Sequence, residues 1–201
     1  KSYWDMLIAM LAVGIGILIP LYIVYPAAVP FVPVLSLFIA VAFLLDIAIE
    51  LQTVYQVGGT PITQLRERAV RYLRGGMVPD ILAGLPILFL HTAGLLPGDV
   101  PTFLYFLPLL KLLRVNKTLR RVGESHINPA IFRLLMLVFW ILMAAHLIAC
   151  IWILVSGNPD GLAPPDRYIR SFYWTMTTLT TIGYGDITPQ GSAQTLYVIL
   201  I

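Results

Sequence analysis

The stretch YIRSFYWTMTTLTTIGYGDITP, residues Tyr168–Pro189, decides the fold, because it places a short helical pattern directly before a Gly-rich turn. The helical pattern covers about a dozen residues and ends near Thr180, so it is too short to span a bilayer. The non-helical backbone that follows is tolerated at membrane depth only where it is buried or lines water. The stretch therefore predicts a re-entrant helix and loop that line a pore.

The residues of the loop suit potassium, because four extended strands, one from each of four subunits, would supply rings of backbone carbonyls that replace its hydration oxygens. Gly183 and Gly185 permit the backbone angles that turn the carbonyls toward one axis. The Thr181 hydroxyl completes the innermost site, the Ile182 carbonyl joins the rings, and the Tyr184 ring packs outward to brace them. These five residues form the predicted K⁺ site, and K⁺ is the only metal expected. An ordinary Gly-rich turn is the alternative, and a threonine-rich helix ending in TTIGYGD is far more specific than such a turn.

Composition indicates a membrane protein. Of the 201 residues, 59% are hydrophobic and only 11% are charged, which is too little charge to cover a soluble domain. Five apolar runs approach or exceed the roughly 20 residues that a membrane span needs, and a sixth begins near Ser192. The five runs are Trp4–Tyr25, Phe31–Tyr55, Met77–Leu96, Thr102–Leu119 and Pro129–Val155. We therefore predict an all-α membrane protein, a six-transmembrane-helix channel subunit whose sixth helix is truncated.

The order of the runs divides the chain into a four-helix, voltage-sensor-like domain of residues 1–122, a linker of residues 123–128 and a pore domain of residues 129–201. The pore domain contains the fifth helix, the pore helix, the selectivity filter and the start of the sixth helix. Since one residue spans at most about 3.6 Å, the linker reaches roughly 20 Å. Each voltage-sensor-like domain is therefore expected to pack on the pore domain of its own subunit, in a tetramer without domain swapping.

Basic residues set the expected orientation. Arginines crowd the loop between the second and third runs, and two more follow the fourth run. By the positive-inside rule both segments are cytoplasmic, and so is the N-terminus. These arginines are Arg66, Arg68, Arg71, Arg74, Arg120 and Arg121. We expect a multi-pass protein of the cell membrane with the lipid bilayer as its surroundings and no nucleic-acid partner, and no nucleophile, base or metal cluster indicates an enzyme.

The fourth run carries a repeating series of basic residues. Basic side chains inside a membrane helix are costly and usually mark function, so the series favours a voltage sensor. The residues recur at every third position, with one addition at the end: Lys111, Arg114, Lys117, Arg120 and Arg121. All five lie in the inner half of the predicted fourth helix, which runs to about Arg121, so the alternative is that they anchor its cytoplasmic end by extending to the membrane surface.

Acidic residues are the expected partners of these cations. Asp46 lies deep in the second run with Phe43 three residues earlier on the same helical face, and Glu50 follows one turn later. Asp80 lies near the start of the third run. A lone buried carboxylate is costly, so these acids are predicted to be paired. In the fifth run, His146 is interpreted as a hydrogen-bonded core residue and Cys150 as a small packing residue.

Two further segments carry a family resemblance. RYLRGGMVPDILAGLP (Arg71–Pro86) and INPAIFRLLMLVFWILMAAHLIACIW (Ile127–Trp152) resemble the cyclic-nucleotide-gated, hyperpolarisation-activated and ether-à-go-go channel superfamily. The run FYWTMTTLTTIGYGDITP is similar to its SthK-type bacterial, potassium-selective members. Phe43, Asp46 and Asp80 together resemble the charge-transfer site of voltage-sensor domains.

The resemblance implies several further features. The acid after the filter, Asp186, is expected to bond to an aromatic residue of the pore helix, for which Tyr173 and Trp174 are the matching positions. A cytoplasmic linker and a cyclic-nucleotide-binding domain are expected after the sixth helix, so cAMP or cGMP would bind outside this chain. A bacterial source implies the inner membrane as the location.

One intact filter per short chain favours a homotetramer with three identical partner subunits. The leading hypothesis is a cyclic-nucleotide-gated potassium channel with weak or modified voltage sensing. A purely voltage-gated potassium channel is the alternative within the same class, and a potassium transporter is the alternative from another class. Transporters of that kind carry several degenerate filter repeats in one chain, whereas this chain has a single TIGYGD.

Overall fold

The structure, a computed structural model, describes residues 2–53, 55–57, 60–62, 64–96, 98–115 and 128–201. The chain forms two compact units. The first comprises Lys1–Ile19 and Phe31–Ser125, and the second comprises Pro20–Pro30 and His126–Ile201. We call them the sensor unit and the pore unit after the domains that the sequence predicts there.

Among the described residues, three helices are long and apolar enough to cross a membrane. They are α1 (Ser2–Val24), α2 (Val32–Gln52) and the helix Pro129–Ser156, whose most apolar windows have mean hydropathies of 2.6 to 2.7. Continuous apolar sequence explains why these helices match the first, second and fifth predicted runs closely. Residues Val78–Thr92 form a shorter apolar helical stretch. The structure thus supports three of the six predicted membrane-spanning helices, and the complete six-helix layout remains a prediction.

A β-hairpin follows α2. Strand β1 (Tyr55–Val57) pairs antiparallel with β2 (Thr60–Ile62), and Tyr55 lies opposite Ile62. The rest of the described fold is helical, as predicted, and this short hairpin is the exception to it. Helix α2 ends at Gln52, whereas the predicted apolar run extends to Tyr55. Helix α3 (Leu65–Tyr72) comes next.

The third segment is not a single helix. A π-helical turn (Leu73–Met77) leads into α4 (Val78–Ala83), and α5 (Ile87–Thr92) follows after a break. Pro86 lacks an amide hydrogen and disfavours helical backbone at the residue before it, which explains the break. The prediction of one continuous helix over the apolar run Met77–Leu96 is therefore wrong.

The fourth segment begins as a 3₁₀-helix, Thr102–Lys111, and residues 112–115 continue as α-helix. A 3₁₀-helix has three residues per turn, so residues three apart share a face. Pro108 and Lys111, three apart, are both buried. The regular membrane-spanning helix predicted for Thr102–Leu119 is therefore corrected over Thr102–Lys111, which form this 3₁₀-helix. The linker residues 123–127 lie outside the described residues, so the arrangement without domain swapping stays a prediction.

The pore unit is built on α6 (Pro129–Ser156), α7 (Pro164–Leu179) and α8 (Ser192–Leu200). The Asn128 side chain accepts a hydrogen bond from the Ala130 amide over 2.9 Å, and Pro129 occupies the first turn, so α6 begins with a capped N-terminus. Helix α7 has 16 residues and leads directly into the loop predicted to form the filter.

Candidate functional site

The loop Thr181–Asp186, here called the TIGYGD loop, is tied to the end of α7. The amides of Ile182 and Gly183 both donate to the Thr177 carbonyl, over 2.9 and 3.1 Å. The last carbonyls of a helix have no partners within it, so the loop satisfies a group that the helix leaves open. The start of the loop is therefore held at the C-terminal end of α7, where the helix dipole is negative.

The backbone of the TIGYGD loop alternates in conformation. Thr181, Gly183 and Gly185 have φ angles of +60, +53 and +75°, and the residues between them have no positive φ. Glycine adopts such angles without steric cost. A positive φ is uncommon for other residues, and Thr181 is the one non-glycine example among the described residues. The sequence pointed to the two glycines, whereas nothing in it pointed to the strained backbone of Thr181.

Asp186, the last residue of the loop, pairs with Tyr173. The Tyr173 hydroxyl, on α7, is hydrogen-bonded to the Asp186 carboxylate. Desolvation and this bond raise the pKa of Tyr173, so the hydroxyl is a donor at neutral pH. The Tyr173 ring also lies nearly parallel to that of Tyr184, with 6.5 Å between centroids and 7° between planes. One side chain of α7 therefore contacts the loop at two points.

Trp174, the other predicted support, fixes α7 to α6. Its buried ring stacks on Trp152 with centroids 3.9 Å apart and planes 19° apart. Tyr197 of α8 lies 6.2 Å from Trp152 and donates from its hydroxyl to the Ile148 carbonyl over 2.8 Å. These rings join all three helices of the pore unit behind the loop.

His146 provides a second link between α6 and α7. Its Nδ1 lies 2.8 Å from the Tyr168 hydroxyl, and its Nε2 lies 3.9 Å from the Cys150 sulfur. His146 and Cys150 are both buried. The interpretation of His146 as a hydrogen-bonded core residue is confirmed.

In the sensor unit, four predicted charged residues meet. Lys111 Nζ lies 2.6 Å from Asp46 Oδ2 and 3.2 Å from Asp80 Oδ1. Arg114 forms an ion pair with Oδ2 of Asp80. The side chains of Lys111 and Asp80 are each 1% exposed. The side chains of Asp46 and Arg114 are 13% and 27% exposed. Two acids and two cations therefore balance in a partly buried site, which we call the charge cluster (Asp46, Asp80, Lys111 and Arg114).

Phe43 lies beside the charge cluster, as its position three residues before Asp46 predicted. Its side chain is fully buried, and Lys111 Nζ lies 5.2 Å from its ring centroid, within the range of a cation–π contact. Glu50, one turn after Asp46 on α2, is half-buried. The predicted charges Lys117, Arg120 and Arg121 lie outside the described residues.

Two members of this site were not predicted. The Trp4 indole donates to Asp46 Oδ1 over 2.9 Å, and the Tyr72 hydroxyl donates to Asp80. The first bond joins residues 42 positions apart and the second joins residues eight positions apart, and no local pattern marks either donor as the partner of an acid. The position of Tyr72 just before the two glycines of RYLRGG is the only signal that the sequence offered.

The described residues concentrate their polar groups in two places. Across the described ranges, no group of three or more His, Cys, Asp or Glu side chains is placed to hold a metal ion. Backbone oxygens of the TIGYGD loop and paired charges of the charge cluster are the polar features that the fold concentrates.

Comparison with known proteins places the chain. It matches the ion transport protein family over residues 1–201. It is 25% identical to the voltage-gated inwardly rectifying potassium channel KCNH2 of Oryctolagus cuniculus, and 23% identical to KCNH6 of Homo sapiens. Each alignment covers 100% of this chain and 20% or 25% of the relative, so the chain spans about a fifth to a quarter of their length. Because the family match extends over the whole chain, this chain belongs to the ion transport protein family.

Proposed function

We propose that the chain is the pore-forming part of a potassium-selective channel and that the TIGYGD loop is its selectivity filter. The alternating backbone of Thr181, Gly183 and Gly185 is the observation that carries the proposal. A filter replaces the hydration shell of K⁺ with carbonyl oxygens, and this requires successive carbonyls to face one axis. The proposed K⁺ ligands are therefore the oxygens of Thr181–Gly185, braced by Tyr173 and Asp186.

Four chains are needed to surround one axis, so we propose a homotetramer in a cell membrane with a cytoplasmic N-terminus. The relatives are named as potassium channels, which supports the choice of ion. They are also named as voltage-gated, and the charge cluster supports a sensing role for Lys111 and Arg114. The cations of this cluster are paired with buried acids, which favours sensing over anchoring at the membrane surface.

Two modes of control fit these observations equally. One is gating by a cyclic nucleotide, with the ligand bound to a domain outside this chain, in a bacterial channel of the SthK type. The other is gating by voltage alone. Currents recorded from the complete channel with and without cAMP or cGMP, over a range of voltages, distinguish the two.

Reversal potentials in reconstituted bilayers test the proposed ion selectivity. With potassium on one side and sodium on the other, we expect a strong preference for potassium, which Gly183→Ala abolishes together with most of the current. Gly161→Ala is the matched control, because Gly161 also has a positive φ, of +61°, and its Cβ would also meet open space. Equal permeability of sodium and potassium in the unmutated channel would overturn the proposal. A flux that depends on a coupled ion would indicate a transporter instead.

A further inference from the structure

The π-helical turn Leu73–Met77 leaves an open space that Arg114 fills. Gly76 in this turn has a φ of +139°, a conformation that residues with side chains rarely adopt. A Cβ atom at Gly76 would lie 2.6 Å from Arg114 Nη2 and 3.1 Å from its Nε. The guanidinium group therefore packs directly against the glycine backbone.

Two other groups enclose the same guanidinium. The Tyr72 ring centroid lies 4.9 Å from Arg114 Cζ, within cation–π distance, and Nη1 lies 3.5 Å from the Tyr72 hydroxyl. Asp80 supplies the ion pair and also accepts the Tyr72 hydroxyl bond. A bare backbone, an aromatic ring and a carboxylate thus surround a flat cation on different sides.

The neighbouring cation has different surroundings. Lys111 Nζ lies between the oxygens of Asp46 and Asp80, at 2.6 and 3.2 Å, near the Phe43 ring. That site suits a compact ammonium, whereas a planar guanidinium stacks on rings and binds carboxylates through a fork of donors. The two sites share Asp80 and differ in shape.

We infer that Tyr72, Gly76 and Asp80 form a docking site selective for a guanidinium group, which fixes the register of the fourth segment by binding Arg114. The inference deepens the proposed function, since it concerns how the sensor cations are held. The sequence alternates lysine and arginine at positions 111, 114, 117 and 120. If the fourth segment moved by three residues, a lysine would take the place of Arg114 in this site. If it moved by six residues, Arg120 would take that place. The register is therefore selected by side-chain type as well as by charge.

A double-mutant cycle on the complete channel in detergent tests the docking site without relying on gating. Arg114→Lys keeps the charge and removes the planar group, and Tyr72→Leu removes the ring. We expect each variant to lower the midpoint of thermal unfolding, and the double variant to lower it no further than the larger single effect. Tyr3→Phe is a control, because Tyr3 is 86% exposed. An unchanged midpoint in Arg114→Lys, or additive effects, would overturn the inference.

The Gly76 contact is tested separately. Gly76→Ala is expected to lower the unfolding midpoint both by backbone strain and by contact with the guanidinium, and Arg114→Ala in the same chain relieves only the contact. The double variant should therefore unfold at a higher temperature than the sum of the two losses predicts. Gly14→Ala is the control, because a Cβ there meets nothing within 4 Å. Strict additivity would contradict a guanidinium packed on Gly76.

Voltage dependence supplies the functional readout in bilayers. Arg114→Lys and Tyr72→Leu should shift the midpoint of the conductance–voltage curve in the same direction, with no further shift in the double variant. If the unmutated channel gave potassium-selective currents that do not depend on voltage, the proposed sensing role would be refuted. The double-mutant cycle of unfolding midpoints would then decide whether the docking site exists. Voltage-dependent currents with independent, additive shifts would refute the docking site alone.

Discussion

Trp4 and Asp46 lie 42 positions apart in the sequence and are joined by a hydrogen bond of 2.9 Å from the indole nitrogen to the carboxylate. The other carboxylate oxygen receives Lys111. The first two helices and the fourth segment of the sensor unit therefore meet at one acid, and the indole fixes the side-chain orientation that presents the second oxygen to the lysine.

The first prediction concerns this bond. Trp4→Phe keeps an aromatic ring and removes the donor, so it should cost about 1.5–3 kcal/mol, as expected for a hydrogen bond to a charged group. Chemical unfolding of the complete channel in detergent measures the loss. Trp140→Phe is the control, because that ring is half-buried and makes an edge contact with Phe139. A loss no larger than the control's would show that Asp46 does not depend on the indole.

A second prediction compares a buried acid with an exposed one. Asp80→Ala leaves Lys111 and Arg114 without their shared partner, and breaking a buried pair typically costs about 3–5 kcal/mol. Asp160→Ala breaks a pair with Arg170 whose side chains are 53% and 48% exposed, and such pairs contribute about 0–1 kcal/mol. Unfolding measurements should separate the variants clearly, and similar losses in both would mean that the charge cluster is more hydrated than its burial indicates.

Sequence patterns predicted the long apolar helices well, because continuous hydrophobic sequence defines α1, α2 and α6 within a few residues. They failed where one local feature overrides composition. Pro86 divides an apolar run that looks continuous by hydropathy, and strand β1 after α2 begins at Tyr55, the last residue of the second predicted run. Hydropathy counts apolar residues, whereas these breaks depend on individual backbone hydrogen bonds.

Local sequence patterns likewise predicted some residues of the candidate site and missed others. The spacing of Phe43 and Asp46 placed two residues on one helical face, and the structure brings both to Lys111. Trp4 escaped prediction because its partner is set by the packing of a distant segment, and Tyr72 because its bond to Asp80 depends on the kink at Gly76 between them. The φ of Thr181 also depends on the loop's attachment to α7, which no residue type alone encodes.

A third prediction concerns the aromatic rings that join α6, α7 and α8. Trp174→Ala removes a buried ring stacked 3.9 Å from Trp152 and should cost about 3–5 kcal/mol, typical of a large aromatic residue replaced in a core. Trp174→Phe keeps part of the stack and should cost less. Thermal unfolding in detergent gives the order of the two variants, and an equal loss in both would mean that stacking on Trp152 contributes little.

The last prediction concerns the bond between Tyr173 and Asp186. Tyr173→Phe removes the donor and retains the ring that lies parallel to Tyr184, so we expect a functional pore with a lower preference for potassium over sodium. Reversal potentials under mixed-ion conditions measure that preference. Tyr3→Phe serves as the control, because it is the same substitution at a position that is 86% exposed.

The pH dependence of the same measurement identifies the bond itself. Desolvation and the bond to Asp186 raise the pKa of Tyr173, so its hydroxyl remains protonated beyond the ordinary tyrosine value of about 10. A raised pKa means that the contribution of the bond is present below the ordinary value and is lost as pH rises through the raised one. The preference for potassium should therefore hold constant from neutral pH to about 10 in the unmutated channel and decline above it. In Tyr173→Phe it should be lower throughout and lack that decline. A decline that begins well below pH 10, or identical profiles in both proteins, would show that the hydroxyl does not brace the filter.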